Sequence, residues 1–242
     1  MRAPLPRNSG ENARSFKLAG KTVRIVCLHT ADSNIAIFDE AARAARFHSL
    51  ELEHRVRADL LAAAEQVGGL TDAIAAQTRE VVLALCRDAN AVLLNCTTLG
   101  PVVDETLAAR AAPVPVVRVD AALAQRAVEN GGKVVVLYTV STTREPTTRL
   151  FAEAASHAGV AVDLRVQLVE RAWERFRAGD TAGYLSTIAA AAEAAYADGA
   201  DVVALAQASM TGAAALVTRG DKPLTSPEAA LAAVVRAASL AN

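Results

Sequence analysis

The chain of 242 residues is long enough for one large domain or for two domains of roughly 100 residues each. With 52% hydrophobic and 21% charged residues it can bury a substantial core, which excludes a disordered chain. The formal net charge is −1 and no long basic run occurs, so a general electrostatic attraction to nucleic acid or to an anionic membrane is not expected.

The cysteines and the N-terminal segment indicate the compartment. Cys27, Cys86 and Cys96 cannot all pair, and none lies in a CxxC or Cys/His zinc spacing. This usage is typical of a reducing compartment, and we expect a cytoplasmic protein. Residues 1–20 are polar, so we predict a flexible N-terminal tail and not a signal peptide. The longest apolar stretches, such as residues 188–195, are too short to span a bilayer.

Seven short segments rich in apolar or β-branched residues are predicted as strands. In chain order they are residues 22–28, 50–56, 91–95, 115–119, 133–138, 160–166 and 201–206. Several are almost wholly apolar, as is typical of strands in a parallel sheet that helices cover on both faces. Residues 51–57 instead alternate charged and apolar side chains, which predicts a half-exposed edge strand.

Helical segments lie between these strands. Thr71 is predicted to cap a helix over residues 72–88, and Pro101 fits the first turn of a helix that runs to about residue 111. A break at residues 223–227 precedes a last helix, from about 228 to 240, that we expect to pack on the first half of the chain. Strands that alternate with helices predict βαβ units and an α/β fold.

The two halves of the chain repeat one order of strands and polar loops. Cys96 follows Ser33 by 63 residues, and Gln207 follows Ser141 by 66 residues. Loops beyond the carboxyl ends of parallel strands build ligand sites. We therefore predict two pseudo-symmetric lobes, each a parallel sheet flanked by helices, with the ligand cleft between them. The first lobe is assigned residues 21–120 and 224–242, and the second lobe residues 121–223.

Three segments at these loops resemble the aspartate/glutamate/hydantoin racemase superfamily. They are AVLLNCTT at 91–98, LYTVST at 137–142 and DVVALAQAS at 201–209. The resemblance implies a two-lobed, cofactor-independent enzyme; in the racemases, two cysteines on opposite sides of the substrate exchange its α-proton. Cys96 matches the first of these cysteines, and Thr97 and Thr98 match the Asn-Thr that usually follows it.

The resemblance also implies which residues bind the substrate. Asp32, Ser33 and Asn34 match the binding loop of the first lobe. The equivalent loop of the second lobe supplies Thr139, Ser141 and Thr142, and Gln207 and Ser209 are assigned to the same cleft. The chain departs from the family where Gln207 takes the place of the second cysteine. Glutamine has no proton-transfer chemistry near neutral pH, so the chain resembles a single-cysteine variant.

The candidate residues also have purely structural interpretations. Backbone N–H groups and the start of a helix near Cys96 are expected to favour its thiolate, whereas Cys86 and Cys27 are interpreted as core residues. Hydroxyl side chains at strand ends either contact a substrate carboxylate or cap helices, whereas Asp32 either caps its helix or holds a proton-transfer network in place. His29, near a strand end, is a weaker candidate for the cleft. The four histidines show no metal spacing, so no metal is expected.

The leading hypothesis is a cofactor-independent isomerase-type enzyme that acts on a small carboxylic acid, with Cys96 as acid/base or nucleophile. The alternatives are a one-sided decarboxylase or double-bond isomerase of the same superfamily, and a carboxylate-binding protein without catalysis. Gly68-Gly69 and Gly131-Gly132 lack the context of a nucleotide loop, so no cofactor is expected. We expect a homodimer, because Ala-rich helix surfaces can pack closely and because the resemblance to the family implies self-association.

Overall fold

The computed structural model describes residues 22–45 and 50–240, with the side chain of Thr142 excepted. The tail predicted over residues 1–20 lies outside this part of the chain. Eight strands form two sheets: β1 (Val23–His29), β2 (Leu50–Val56), β3 (Ala91–Asn95), β4 (Val116–Arg118), β5 (Gly132–Tyr138), β6 (Val162–Leu168), β7 (Val202–Leu205) and β8 (Leu224–Thr225). All the pairings are parallel.

Helices connect these strands. They are α1 (Ser33–Ala44), α2 (Ala58–Val67), α3 (Asp72–Leu85), α4 (Pro101–Ala108), α5 (Val119–Val128), α6 (Arg144–Ala158), α7 (Ala172–Arg177), α8 (Thr181–Ala197) and α9 (Ser226–Leu240). Two 3₁₀ segments, Ser141–Thr143 and Ala208–Ala215, follow β5 and β7.

The two sheets have the same topology. Their strand orders are β2-β1-β3-β4 and β6-β5-β7-β8, so the first strand of each sheet lies between its second and third strands. We call the first sheet with its helices the first lobe, and the second sheet with its helices the second lobe. The prediction of an α/β fold with two pseudo-symmetric parallel sheets is therefore confirmed.

The strand patterns explain why helices cover both faces of each sheet. In β5, Val135 and Leu137 pack with α8, whereas Val134 and Val136 pack with α5 and α6 on the opposite face. A strand that is apolar at every position can satisfy both faces only in such a layer. Strand β2 lies at a sheet edge, and its exposed residues are Glu51 and Arg55, as the alternating pattern predicts.

Some element boundaries differ from the predicted ones. The Thr71 hydroxyl accepts a hydrogen bond from the Ile74 N–H and caps α3 as predicted, but this helix ends at Leu85. Helix α4 ends at Ala108, three residues early, and Arg110 takes a positive φ of 50°. A left-handed residue cannot continue a right-handed helix, so the turn begins there. Strand β8, which no sequence pattern predicted, pairs with β7 beyond residue 223.

Helix α9 joins the core of the first lobe. Leu231 and Val234 are buried in one cluster with Phe38 of α1 and Ile25 of β1. The same helix also contacts α5, whose residues pack under the second sheet. The C-terminal helix therefore contacts both halves of the structure. In the described part of the chain, no helix is long and apolar enough to cross a membrane.

We predict that Leu231→Ala lowers the free energy of unfolding by about 2–5 kcal/mol, because a fully buried leucine leaves a cavity when it is truncated. Leu240 is 88% exposed on the same helix, so Leu240→Ala is a matched control that should change the stability by less than about 0.5 kcal/mol. Urea unfolding followed by circular dichroism measures both. Equal effects of the two substitutions would show that α9 does not contribute to the core.

Candidate active site

The carboxyl ends of the central strands carry the polar loops in both lobes. In the first sheet His29 is paired with Asn95, so Thr30 and Cys96 leave the sheet side by side. In the second sheet Leu137 is paired with Leu205, and the loops that contain Thr139 and Gln207 follow. The two lobes thus place a threonine next to Cys96 and an equivalent threonine next to Gln207.

Cys96 is half-buried at the end of β3, where a turn leads into α4. Burial raises the pKa of its thiol, and the Asp120 carboxylate acts in the same direction. The backbone N–H groups of Leu99 and Thr98 and the hydroxyl of Thr30 oppose this shift without cancelling it. The N–H groups thus favour the thiolate as expected, but the loss of hydration outweighs them and the pKa of the Cys96 thiol is raised.

A buried arginine supports the turn after Cys96. The guanidinium of Arg118 donates hydrogen bonds of 3.0 and 2.9 Å to Asp120 and also pairs with Asp104 of α4. It lies so close to Gly100 that a Cβ there would be 2.6 Å from Nε. Any larger residue at this position would displace the Arg118 guanidinium, whose ion pairs hold Asp120 in the neighbourhood of Cys96. Sequence reasoning did not identify Thr30, Arg118 or Asp120 as part of the site.

The second lobe holds Gln207 in a fixed orientation. Its Oε1 accepts hydrogen bonds from the backbone N–H of Thr139 at 2.8 Å and from the Thr139 hydroxyl at 2.7 Å. A backbone N–H can only donate, so the oxygen of the amide must face Thr139. In the described part of the chain no acceptor lies within hydrogen-bond distance of the Gln207 NH₂ group, which is left to donate to another molecule.

Tyr184 extends this network. Its hydroxyl lies 2.9 Å from Ser209 Oγ, and it also interacts with Thr139. Burial raises the pKa of the phenol, so Tyr184 is uncharged near neutral pH. Sequence reasoning missed this residue because it lies within the Ala-rich helix α8, far from any strand end. The structure thus brings Thr139, Gln207 and Ser209 together around a buried tyrosine.

The other predicted binding residues are less buried. Asp32 and Ser33 are exposed and Asn34 is half-buried at the start of α1. Asp32 occupies the N-cap position of α1, as one of its two interpretations predicts, but its side chain makes no capping hydrogen bond. Thr97 is half-buried and Thr98 is exposed beside Cys96.

Ser141 has a different environment from Gln207. It is exposed and lines an open groove of about 640 Å³ with Arg144 and Arg149. The side chain of Thr142 lies outside the described residues.

The loop after Gln207 also touches the first lobe. The 3₁₀ segment Ala208–Ala215 contacts α1, and Ala208 is buried in the same cluster as Phe38 of that helix. Since α1 begins at Ser33, this contact links the binding loop of the first lobe with the loop that carries Gln207 and Ser209.

His29 does not face an open cleft. It is fully buried against the ring of Phe38, at 5.0 Å between ring centroids, and its Nε2 lies 2.9 Å from Nδ1 of His54. Its Nδ1 lies 3.2 Å from the amide nitrogen of Asn95, and His54 Nε2 lies 3.1 Å from Asp39 Oδ1. Burial and the neighbouring His54 lower the pKa of His29 to about 4.

The described residues thus form a two-lobed α/β fold with polar loops at the carboxyl edges of two parallel sheets and with Cys96 at one strand end. The sequence profile of the Asp/Glu/Hydantoin racemase family matches residues 30–235. The chain belongs to this family. A comparison with curated protein sequences finds no match.

Solved structures share the fold. An aspartate racemase homologue from Pyrococcus horikoshii is 16% identical, with a TM-score of 0.65 over 90% of this chain and 100% of that chain. Allantoin racemase from Pseudomonas fluorescens is 22% identical, with a TM-score of 0.55 over 90% of each chain. Unliganded arylmalonate decarboxylase is 19% identical, with a TM-score of 0.56 over 90% of this chain and 93% of that chain.

The acid stability of the protein should depend on His29. The pKa of His29 is near 6.5 in the unfolded chain and about 4 in the folded chain. The free energy of unfolding should therefore decrease as the pH falls from 6.5 toward 4, and His29 should account for about 3 kcal/mol of this decrease. Urea unfolding at several pH values, in buffer with EDTA, measures the loss. His29→Asn should remove that part of the pH dependence, and His157→Gln, at an exposed histidine, should retain it.

The reactivity of Cys96 should reflect its raised pKa. Because only the thiolate is alkylated, iodoacetamide should modify Cys96 at pH 7 more slowly than free cysteine. As long as the pH is below the pKa of Cys96, the rate should increase about tenfold for each unit by which the pH is raised. Mass spectrometry of the Cys96 peptide gives the rate, and buried Cys86 serves as the unreactive control. Alkylation at pH 7 that is faster than that of free cysteine would contradict a protonated resting thiol.

Proposed function

We propose that this protein is a cofactor-independent enzyme that protonates a small carboxylic acid substrate from one side, with Cys96 as the proton donor. The observation that carries the proposal is the orientation of Gln207, whose amide oxygen is engaged by Thr139 and whose NH₂ group is left as a donor. The second lobe therefore offers a hydrogen bond where a two-thiol racemase has a second acid/base.

Racemisation requires a base on one face of the substrate and an acid on the other. An amide NH₂ accepts no proton at neutral pH. The hydroxyl of Ser209 is not a base either, because it is hydrogen-bonded to the uncharged phenol of Tyr184. These donors suit the oxygens of a substrate carboxylate. The geometry therefore favours a reaction in which a single thiol transfers a single proton.

The raised pKa of the Cys96 thiol favours decarboxylation followed by protonation. In this reaction the C–C bond to a carboxylate breaks, CO₂ leaves, and the electron pair stays on the substrate as an enediolate. The Cys96 thiol gives its proton to the α-carbon, and water reprotonates the thiolate. A double-bond isomerase that adds a thiolate to its substrate needs the opposite resting state, which burial of Cys96 disfavours.

The substrate class is tested by a thermal-shift screen of amino acids, hydantoins, dicarboxylates and arylmalonates. A ligand at about 100 times its Kd stabilises the protein by about 2.7 kcal/mol. Cys96→Ser should lower turnover of the ligand at least about 10²-fold and leave its thermal shift nearly unchanged, because a hydroxyl is a far weaker acid than a thiol. Cys86→Ser, at a buried cysteine outside the site, should retain turnover.

Deuterated water tests whether the reaction is one-sided. The product should carry one deuteron at the α-carbon in a single configuration, and the parent protein should not racemise it. Gln207→Cys restores a thiol pair and should create measurable racemisation. A racemic product from the parent protein, or turnover that survives Cys96→Ser, would contradict the proposal. Binding of a carboxylate without any turnover would favour a binding protein.

A homodimer in the cytoplasm is also part of the proposal. Light scattering across micromolar concentrations is expected to give twice the chain mass of 25.1 kDa. A constant mass of one chain would contradict the dimer.

A further inference from the structure

We propose that Cys27, His29 and His54 form a binding site for a divalent transition-metal ion of the zinc type, between the first sheet and helix α1. The site is separate from the proposed reaction centre. Cys27 packs with α1 and α9 on one face of the sheet, whereas Cys96 packs with the cluster on the opposite face.

Strand geometry brings the three residues together. Cys27 and His29 lie two residues apart on β1, so their side chains share one face, and His54 of β2 is the direct neighbour of Cys27 across the pairing. The three ligand atoms all lie within 4.8 Å of one another. An ion among them needs only small side-chain movements to reach bond lengths of about 2.0–2.3 Å.

The outer sides of both imidazoles have hydrogen-bond partners. His54 Nε2 lies 3.1 Å from Asp39 Oδ1, which orients Nδ1 toward Cys27 and His29. A carboxylate behind a histidine is the usual support of a metal ligand. Asn95 takes the corresponding place behind His29. Metal binding moves the His29 proton from Nε2 to Nδ1, where the oxygen of a turned Asn95 amide accepts it, and the Cys27 proton is released to solvent.

The charge and the donor atoms select the ion. The Cys27 thiolate and the Asp39 carboxylate together balance two positive charges, which a buried ion requires. One thiolate and two imidazoles suit Zn²⁺ or Co²⁺ and exclude Mg²⁺ and Ca²⁺, which prefer oxygen. The His54 side chain is 11% exposed and that of Asp39 is 47% exposed, so the ion enters from the side of α1. Three protein ligands leave a fourth position for water.

Cobalt is the probe for this site. The full-length protein is first treated with a chelator and then titrated with Co²⁺. We expect one ion per chain, a thiolate-to-cobalt charge-transfer band in the near ultraviolet, and the visible bands of four-coordinate Co²⁺. Cys27→Ser should remove the charge-transfer band, whereas Cys86→Ser and Cys96→Ser should retain it. Zn²⁺ should displace the cobalt, and about one proton should be released for each ion bound.

The supporting carboxylate provides a matched pair of variants. Asp39→Asn should weaken Co²⁺ binding about 10- to 100-fold. Glu40→Gln, at the next residue of the same helix, should leave it unchanged, since Glu40 is exposed and, unlike Asp39, has no hydrogen bond to His54 among the described contacts. If Cys27→Ser fails to fold, as judged by circular dichroism, His54→Gln at a half-buried position should still abolish stoichiometric binding. Absence of 1:1 Co²⁺ binding by the parent protein overturns the proposal. A charge-transfer band that survives Cys27→Ser overturns it as well, and so do equal Co²⁺ affinities of the Asp39→Asn and Glu40→Gln variants.

Discussion

The parallel pairing of the first and third strands in each sheet is the constraint on which the site depends. His29 beside Asn95 and Leu137 beside Leu205 bring two loops to one edge of each sheet. The threonine that follows the first strand then contacts a residue just beyond the third strand. Thr30 interacts with Cys96, and Thr139 binds Gln207 through its backbone and its hydroxyl. A shift of one residue in either pairing would turn these side chains to the opposite face.

Much of this arrangement could be predicted from the sequence, because strands that are buried on both faces consist of consecutive apolar residues. The segments around Val136 and Leu93 therefore identified the central strands, and the polar residues after them identified the edges that carry the loops. Tyr184 could not be predicted in this way. Its contact with Ser209 arises from the packing of α8 on the second sheet, which no local pattern specifies.

The ionisation of Cys96 shows why position alone does not fix chemistry. The start of a helix and the N–H groups of the turn favour a thiolate, and such effects contribute about 1 kcal/mol. Removal of water from a thiolate costs more, since burial alone shifts a pKa by up to several units. The sequence places Cys96 at a strand end but does not tell how closely it packs against Leu99 and the rest of the buried cluster on that face of the sheet. Burial is a property of the packed molecule, and here it decides the direction of the shift.

The alternation of side chains along a strand gives the first sheet two chemically different faces. Asn95 points toward His29, and the next residue, Cys96, belongs to the other face. The histidines were not predicted to form a cluster because His29 and His54 are 25 residues apart in the sequence, and only the register of β1 with β2 brings them together. Spacing rules for metal sites describe ligands on one loop or helix, so they do not detect ligands that adjacent strands supply.

The near-symmetry of the lobes makes their chemical difference informative. Each lobe ends its third strand with a side chain beside a threonine, but one side chain is a thiol and the other is an amide. The Thr139 N–H would meet either a glutamine oxygen or a cysteine sulfur at this place, and only the glutamine presents a second, donating end. In the proposed reaction, a fixed donor in place of an acid/base would remove proton exchange from one face and would add a contact for a carboxylate. Under the proposed function, a site with that asymmetry would deliver its proton to one face of the substrate, so the configuration of the product would follow from which lobe carries the thiol.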